Sequence, residues 1–494
     1  MTNEDTLVAI ATAPGRAGIG IVRLSGERAI EIATALVRFS TLPLETQRAT
    51  LGDFCDPESG RALDQVVVTC YRCPHSYTAE DVVEISCHGA PVILRYLVEG
   101  CLQRGARAAE PGEFTMRAFL NGRMDLTQAE AIRDLIESRT LYQARVAAQQ
   151  LQGAVSTRLK PHKQVLLELI ACLEAGIDFA EDDVAVMGWQ EILTRLDAIR
   201  TDLEKLVEGY EYGRIVREGL SLAIVGRPNV GKSSLFNRLL NEERAIVTAK
   251  PGTTRDLVAE TANVGGIPLR FVDTAGIRHT EDEAEKMGVE KSFQAIVDSD
   301  LRLLVVDASE AWTEEDTRLL RKVRPLGPLL VACNKSDLQR KISSGDLERF
   351  LSAHEEQDAS VGRGGLRLPE GGQPVPAGPG SPSLPESARA EVVWTSALTG
   401  AGLLELREKI LAVAAPARDL GPEGEFITNL RHQQLIKGSL QALAKARNAS
   451  EQKVPHEMLL LDLYDALRPL DQITGATYVD DVLDIIFRTF CVGK

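Results

Sequence analysis

The chain has 494 residues, of which 44% are hydrophobic and 26% charged, and its formal net charge is −15. At roughly 100–200 residues per domain this length predicts about three domains, and the composition excludes collagen-like, coiled-coil and wholly disordered chains. No apolar run approaches the ~18 residues of a membrane helix, and the N-terminus lacks the basic start of a targeting peptide, so we expect a cytoplasmic protein without membrane contact. The acidic charge argues against nucleic-acid binding through bulk charge and favours a local patch or a partner.

The first part of the chain, residues 1–122, mixes short strand patterns with a helical pattern and predicts an α+β domain. Several segments alternate or are rich in β-branched residues, and the segment after Gly26 has helical spacing. The predicted strands are Val8–Thr12, Gly20–Leu24, Val66–Tyr71 and Val82–Ser86, and the predicted helix is Glu27–Val37.

Eight cysteines without regular spacing indicate a reducing compartment, not a disulfide framework. Cys70 and Cys73, with Cys87 and two histidines nearby, would suit a metal ion. No second cysteine pair follows at zinc-finger spacing, however, and Cys70 falls in the predicted strand Val66–Tyr71. Small buried thiols are therefore the preferred interpretation.

Helical spacing of apolar residues marks two regions, 123–215 and 417–494. The first contains Leu126, Ala129, Ile132, Leu135, Ile136, Val165–Leu173 and Ile192–Val207. The second contains Leu435, Leu440, Leu443, Met458–Leu467 and Val479–Phe487. Because the two regions flank a compact α/β unit, we predict one discontinuous α-helical domain with another domain inserted in it.

Residues 216–416 alternate strands and helices, which predicts a parallel sheet covered on both faces. The predicted strands are Ser221–Val225, Leu269–Val272, Leu301–Asp307, Leu329–Cys333 and Val392–Thr395. Residues of about 340–390 resemble an insert, since Val361–Ser387 holds 7 Gly and 6 Pro in 27 residues and cannot bury enough surface to order itself. A disordered loop is the preferred interpretation, and a regulatory insert is the alternative.

A phosphate-binding motif opens this region. The segment Gly226-Arg-Pro-Asn-Val-Gly-Lys-Ser233 matches G-x-x-x-x-G-K-[ST], and it lies between a predicted strand and the helical pattern Ser234–Leu240. Glycines let backbone N–H groups face phosphate oxygens at a helix N-terminus. Lys232 supplies charge to the β- and γ-phosphates, and the Ser233 hydroxyl is predicted to bind Mg²⁺.

Four further elements follow in the order of a guanine-nucleotide site. Gly252–Asp256 offers Thr254 as a second Mg²⁺ ligand, and Asp273–Gly276 can hold Mg²⁺ through water and meet the γ-phosphate. The Asp337 carboxylate accepts two N–H groups that guanine has and adenine lacks, and Ser396–Leu398 closes the base pocket with backbone N–H groups. The predicted nucleotide contacts are Asn229, Val230, Gly231, Lys232, Ser233, Ser234, Thr248, Ala249, Lys250, Pro251, Gly252, Thr253, Thr254, Asp273, Thr274, Ala275, Gly276, Asn334, Lys335, Asp337, Ser396, Ala397 and Leu398.

The hydrolytic machinery departs from the Ras pattern. Ile277 stands where Ras-like proteins have the glutamine that orients water. Asn229 offers an amide oxygen to a monovalent cation beside the phosphates, where K⁺ would replace an arginine finger. By spacing alone, an Asn229 that only shapes the loop is an equally good interpretation.

The motifs together resemble the MnmE (TrmE) family of tRNA-modification GTPases along the whole chain. They are Asn229, Gly252–Asp256, Asp273–Ile277, Phe490–Lys494, Ala13–Arg23, Tyr77–Asp81, His88–Gly89, Pro111–Phe119 and Ile177–Asp182. The resemblance implies a folate-binding and dimerising N-terminal domain, a discontinuous helical domain and an inserted P-loop GTPase domain. It also implies K⁺-stimulated hydrolysis, in which Asn229 is a K⁺ ligand together with Thr248, Lys250 and Thr253, and Glu285 orients water indirectly. Glu285, Lys232 and Asn229 are thus the expected catalytic residues, although Glu285 taken alone is one of several acids at a helix start.

The same resemblance implies a site for a tetrahydrofolate derivative (5-formyl or methylene). Its contacts would be Arg23, Glu80, Arg123 and the terminal Lys494. A carboxylate suits the donor edge of a pterin, and an arginine suits the glutamate tail of folate. Cys491 matches the family's terminal cysteine, to which we assign no role.

The function implied is an enzyme that modifies the wobble uridine of certain tRNAs. The resemblance implies a homodimer that forms a heterotetramer with an FAD-containing MnmG-type protein and installs a carboxymethylaminomethyl-type group at C5. The alternative is an Era/Der-like switch in ribosome assembly. That alternative would need a basic RNA-binding appendage, whereas the flanking regions here are acidic or mixed.

Overall fold

The computed structural model describes residues 5–40, 43–56, 59–178, 187–242, 261–272, 294–352, 391–414, 426–477 and 480–493, and every statement below concerns these ranges. The strands are β1 Thr6–Ile10, β2 Ala17–Ser25, β3 Val37–Phe39, β4 Ala49–Cys55, β5 Ala62–Tyr71, β6 Val82–Gly89, β7 Ala106–Ala108, β8 Leu220–Val225, β9 Thr261–Val264, β10 Ile267–Val272, β11 Leu301–Asp307, β12 Leu329–Asn334 and β13 Glu391–Trp394. The helices are α1 Ala29–Leu36, α2 Pro91–Gln103, α3 Glu113–Leu120, α4 Leu126–Glu137, α5 Leu141–Leu151, α6 Ala154–Asp178, α7 Trp189–Glu208, α8 Tyr210–Glu218, α9 Lys232–Glu242, α10 Glu314–Val323, α11 Ser344–Ser352, α12 Leu403–Ala414, α13 Leu430–Glu451, α14 His456–Thr474 and α15 Asp480–Phe487.

The N-terminal part is a mixed sheet with helices on one face. Its seven strands follow the order β3-β4-β5-β6-β2-β1-β7, and all neighbours pair antiparallel except β1 and β7. Alternation along β5 buries Val66, Val68 and Cys70 against α1 and α2, in a core with Phe54 and Ile85. The other side chains of the same strands face away from this core, as the two-residue period of a strand requires.

The helical part is built from both flanking regions of the chain. Leu166 and Leu173 of α6, Leu203 of α7, and Ile436 and Leu463 of α13 and α14 share one core. The helical patterns predicted before residue 215 and after residue 425 therefore pack together, and the discontinuous helical fold is confirmed. Within the described ranges, none of the helices combines the length and apolar character that a bilayer crossing demands.

The central part is an α/β sheet of six strands in the order β13-β12-β11-β8-β10-β9. Helices α9 and α12 cover one face, and α10 and α11 cover the other. Five strands are parallel as predicted, but the edge strand β9 runs antiparallel to β10. The prediction missed β9 because it has four residues, Thr261–Val264, and a two-residue turn joins it to β10.

Several elements of the N-terminal part were not predicted, among them β3, β4, β7, α2 and α3, whereas α5 and most of α8 fall within the predicted helical region 123–215. Most are short or have interrupted apolar spacing, so tertiary packing decides their conformation. The Gly/Pro-rich stretch Val361–Ser387, predicted as a loop, lies outside the described residues.

Candidate functional site

The phosphate-binding loop connects the buried strand β8 to helix α9. A Cβ atom at Gly226 would lie 2.3 Å from the Val305 carbonyl oxygen, and one at Gly231 would lie 2.2 Å from Asn334 Nδ2. Neither the Val305 carbonyl nor the Asn334 side-chain amide leaves room for a Cβ atom, so glycine fits at both positions. Asn229 has φ +63°, a conformation that asparagine tolerates better than most residues. The loop therefore passes tightly against the sheet before α9 begins at Lys232.

Lys232 closes this loop from inside. Its Nζ atom donates to the carbonyl oxygens of Gly226 and Arg227, each at 2.7 Å, and burial lowers the pKa of its ammonium group. Ser233 and Ser234 are exposed in the first turn of α9, where backbone N–H groups lack helical partners. A lysine, two hydroxyls and a helix N-terminus thus converge where the motif predicts phosphate binding.

Arg227, inside the loop, has a role that the sequence did not reveal. Its Nε donates to Asp316 Oδ1 at 2.8 Å, and a second nitrogen donates to Glu310 Oε2 at 3.1 Å. Asp316 is buried and belongs to the capping box of α10. The pair with Asp316 ties the loop to helix α10, and the pair with Glu310 ties it to the segment between β11 and α10.

Asn334 joins the phosphate loop to the segment predicted to close the base pocket. This side chain at the end of β12 is buried, donates from Nδ2 to the Val230 carbonyl at 2.9 Å and accepts the Ala397 N–H at 3.0 Å. One amide therefore sets the distance between two loops that are far apart in sequence.

The predicted base-recognition residues lie around this amide. Asp337 is exposed, whereas the neighbouring Lys335 pairs with Asp307, with 2.5 Å between Nζ and Oδ2. Burial alone would raise the pKa of Asp307, but hydrogen bonds from Lys335 and Ser309 outweigh burial and lower that pKa. Asp307 was not predicted, since a carboxylate that ends a strand has no motif of its own.

The segment Ser396–Leu398 is already internally bonded. The Ser396 N–H donates to the Ala401 carbonyl at 2.9 Å, and the Ala397 N–H goes to Asn334. Leu398 is 81% exposed.

Many predicted nucleotide and cation contacts cannot be placed. Those outside the described residues are Thr248, Ala249, Lys250, Pro251, Gly252, Thr253, Thr254, Asp273, Thr274, Ala275, Gly276 and Glu285. Of the predicted Mg²⁺ ligands, the described one is Ser233, and of the K⁺ ligands it is Asn229. Within the described ranges, no group of three or more His, Cys, Asp or Glu side chains could hold a metal ion. A hydroxyl at a phosphate loop still fits Mg²⁺, which takes most of its ligands from phosphates and water.

A cavity of about 580 Å³, called here the N-terminal cavity, lies between the N-terminal sheet and helices α4 and α5, and it is lined by two of the predicted folate contacts, Arg23 and Arg123. Arg23 donates from Nε and a terminal nitrogen to Glu84 Oε1 at 3.0 and 2.7 Å, and from the other nitrogen to the Gly493 carbonyl at 3.3 Å. Its guanidinium carbon lies 5.4 Å from the Tyr77 ring centre. The C-terminal tail therefore reaches the cavity, although Lys494 lies outside the described residues.

Glu80 occupies a different position. Its carboxylate accepts the Ser25 hydroxyl at 2.7 Å and an Arg117 nitrogen at 3.2 Å, and it is not among the described residues that line the cavity. Glu84 lines the cavity instead. Its signal in the sequence was its strand register, since Arg23 of β2 lies opposite Glu84 of β6.

The cavity suits a folate-like ligand in size and chemistry. Binding pockets for small molecules measure about 300–1,000 Å³ and combine aromatic walls with a few placed charges. Tyr71, Tyr77 and Met124 supply apolar surface here, and Arg23 and Arg123 supply cations for a carboxylate tail.

Comparison with known proteins agrees with this architecture. Residues 6–123 match the family model "GTP-binding protein TrmE N-terminus", and residues 126–491 match "MnmE helical domain". The tRNA modification GTPase MnmE of Koribacter versatilis is 54% identical over 100% of both chains. The proteins of the same name from Alkaliphilus oremlandii and Aquifex aeolicus are 41% and 40% identical, each over 99% of this chain and 99% and 100% of their own.

Two solved structures are each similar to less than half of this chain. Era of Aquifex aeolicus bound to GDP and AlF₄⁻ is 28% identical over 45% of this chain and 66% of its own, with a TM-score of 0.26. The G domain of the T. maritima FeoB iron transporter is 23% identical over 40% of this chain and 99% of its own, with a TM-score of 0.24. At these scores neither likeness adds to the assignment, which follows from the family models and the full-length relatives: the chain belongs to the MnmE family of tRNA modification GTPases.

Proposed function

We propose that this protein is a K⁺-stimulated GTPase that acts with an FAD-containing MnmG-type partner on tRNA. The pair would install a carboxymethylaminomethyl-type group at C5 of the wobble uridine. The observation that carries the proposal is that Asn334 joins the lysine-bearing phosphate loop to the segment predicted to close the base pocket. Membership of a family of tRNA modification GTPases supports the choice of tRNA as substrate.

In this proposal the nucleotide is held from three sides. Lys232 exchanges its two carbonyl partners for β- and γ-phosphate oxygens, an exchange made easier because carbonyls bind an ammonium more weakly than phosphates do. Ser233 and Thr254 would bind Mg²⁺, which neutralises charge between the β- and γ-phosphates. Asp337 would accept the two N–H groups of guanine, and Lys335, fixed by Asp307, would border the base.

The proposed hydrolytic mechanism works without the water-orienting glutamine, because Ile277 occupies its position. Asn229 is exposed at the outer bend of the phosphate loop, so its amide oxygen can serve a cation beside the phosphates. We assign Thr248, Lys250 and Thr253 as its companions and Glu285 as the carboxylate that orients water indirectly. A K⁺ ion bound there supplies positive charge next to the leaving phosphate.

The N-terminal cavity is proposed to bind a 5-formyl- or methylene-tetrahydrofolate. Arg23 and Arg123 line it and suit the glutamate tail. Lys494 follows Gly493, whose carbonyl already meets Arg23. Glu80 remains part of the proposal as a carboxylate beside the cavity, and it would have to share its oxygens between Arg117 and a pterin.

The organisation proposed is a homodimer within a heterotetramer with the partner, in the cytoplasm. The domain bounds proposed are 1–122, 123–215, 216–416 and 417–494. The net charge of −15 supports a division of labour in which the partner supplies most tRNA contacts.

Mass spectrometry of wobble uridines from cells that lack this chain tests the proposal. We expect the modified uridine to disappear and to return with the wild-type chain but not with Asp337→Asn. Normal uridine modification in those cells, together with accumulated precursor ribosomal particles, would instead establish an assembly switch of the Era/Der kind.

A further inference from the structure

The turn between α4 and α5 contacts the central sheet from the helical part. We define the α4–α5 corner as residues 138–143. The Thr140 hydroxyl donates to the Gly266 carbonyl at 2.6 Å, and an Arg139 nitrogen donates to Thr261 Oγ1 at 2.8 Å. Thr140 and Thr261 are both buried. A Cβ atom at Gly266 would lie 2.9 Å from Tyr142 Cβ, so the two backbones approach closely.

The α4–α5 corner contacts the β9–β10 hairpin through these hydrogen bonds. Val264 pairs with Ile267 across Gly265 and Gly266, which have φ +58° and +89°, the signature of a tight two-residue turn. Such a hairpin has little internal freedom because every residue of its four-residue edge strand is paired. A displacement at one end must therefore be carried to the other.

The hairpin has a special position in the sequence. It begins seven residues after Thr254 and ends at Val272, directly before Asp273, so it connects the two segments predicted to meet the γ-phosphate. Any displacement of these segments on binding the γ-phosphate acts on the hairpin through its covalent connections.

The same corner holds the chain where it enters the central sheet. The Gln143 side-chain amide donates to the carbonyls of Val216 and Arg217, at 2.9 and 2.8 Å, just before β8. Its oxygen accepts the N–H groups of Arg139 and Thr140, at 2.8 and 3.2 Å. One buried glutamine thus joins the entry segment to the residues that grip the hairpin.

The returning chain is held by the same two helices. Gln150 of α5 donates to the Phe426 carbonyl at 3.2 Å, and Glu130 of α4 accepts from Arg431 at 3.0 Å and lies 2.7 Å from His432 Nε2. The helices that grip the hairpin are therefore also bonded to the start of α13. Movement of the hairpin relative to α4 and α5 must therefore break buried hydrogen bonds or move these two helices.

We propose that the α4–α5 corner couples the nucleotide state of the central sheet to the helical part, with Thr140, Thr261 and Arg139 as positioning residues. The proposal rests on the proposed GTPase function and names the route by which γ-phosphate binding is transmitted. The hairpin is the moving part. The α4–α5 corner responds to this movement, and its helices are bonded to the chain both before β8 and at the start of α13.

Hydrogen–deuterium exchange on the full-length chain tests this coupling. The protein is compared with GDP and with a non-hydrolysable GTP analogue, in MgCl₂ and KCl, and exchange is followed in residues 126–151 and 426–436. Thr261→Val removes the acceptor for Arg139 without altering a helix cap, and Thr261→Ser is its conservative partner. Thr140→Val and Thr140→Ser probe the other bond, and Thr194→Val, on an exposed face of α7, is the control.

The expected result is a nucleotide-dependent difference in exchange at residues 126–151 that falls about fivefold in the two valine variants. The two serine variants and Thr194→Val should keep the wild-type difference, and all should bind both nucleotides with unchanged Kd. The coupling is overturned if wild-type protein binds both nucleotides without this difference, or if the valine variants retain it in full. Failure of the wild type to bind guanine nucleotides would refute the proposed function as well, so the two failures are distinguishable.

Discussion

The phosphate loop and the N-terminal cavity place charge in different ways. In the loop, the residues that would contact the phosphates come from one short segment. Asn229, Ser233 and Ser234 are exposed just before and in the first turn of α9. In the cavity, Arg23 is already engaged by Glu84 and by the carbonyl of Gly493, 470 residues away in sequence. The exposed ligand-facing residues of the loop are therefore neighbours in sequence, whereas the cavity is lined by residues from distant segments.

This difference determines how each site responds to substitution. The phosphate loop should preserve its backbone when an exposed side chain is changed without strain, so losses there should fall on the ligand alone. An assembled site loses internal pairs as well as ligand contacts, and an uncompensated buried charge costs stability. The predictions below run from the largest expected effect to the smallest, and each can break or sharpen this contrast.

Asp337→Asn should weaken GTP binding about a thousandfold, because two charge-assisted hydrogen bonds to guanine are lost. Asp337 is exposed, so folding should be unaffected. Isothermal titration calorimetry with GTP gives the affinity. Xanthosine triphosphate is the control, since its oxygen at position 2 can accept from the asparagine amide and should restore binding. An unchanged preference for GTP would show that Asp337 does not face the base.

Asn229→Ala should remove the advantage of KCl over NaCl in GTP hydrolysis, a loss of about a hundredfold in KCl, while Kd for GTP stays within a few-fold. Alanine at φ +63° also strains the loop, so Asn229→Gly is the matched variant that removes the amide oxygen without strain. Steady-state rates in both salts provide the measurement. If Asn229→Gly keeps the full potassium dependence, the side chain only shapes the loop.

The same contrast explains what the sequence could predict. The phosphate loop, the helical periodicity and five parallel strands depend on neighbours in the chain, and all were predicted. Residues whose importance comes from distant partners were missed, such as Asp307, Glu84 and Gln143, because no local pattern distinguishes them from ordinary polar residues. The antiparallel β9 was missed since four residues carry too little periodicity.

Glu130→Gln tests how much a buried charge cluster, formed with Arg431 and His432 from a distant part of the sequence, stabilises the fold. Burial raises the pKa of Glu130, but His432 and Arg431 outweigh burial and hold this pKa at about 2, below the ordinary 4.5. Because the folded pKa is depressed, the ionised group stabilises the fold above pH 4.5, and that stability is lost as pH falls towards 2.

Glutamine at this position should cost about 2 kcal/mol at pH 7, because it leaves Arg431 without its charged partner. Thermal unfolding followed by circular dichroism should show the gap from wild type closing between pH 4.5 and 2. Glu137→Gln, an exposed change on the same helix, is the matched control. A gap that does not change with pH would mean that packing, not charge, is at work.

Arg23→Gln should weaken binding of 5-formyltetrahydrofolate about tenfold, since a charged contact to the glutamate tail is replaced by a neutral one. The change also leaves Glu84 without its partner, so the loss in an assembled site should be accompanied by a small fall in unfolding temperature. Arg23→Lys keeps the charge but not the planar guanidinium that can contact Glu84 and the glutamate tail together. Its folate affinity should therefore lie between those of the wild type and Arg23→Gln. Arg38→Gln removes an exposed arginine from the same sheet and should change neither quantity. If folate affinity falls while GTP affinity in Arg23→Gln stays at the wild-type value, the cavity and the phosphate loop bind their ligands independently; an equal fall in both would mean that one site depends on the other.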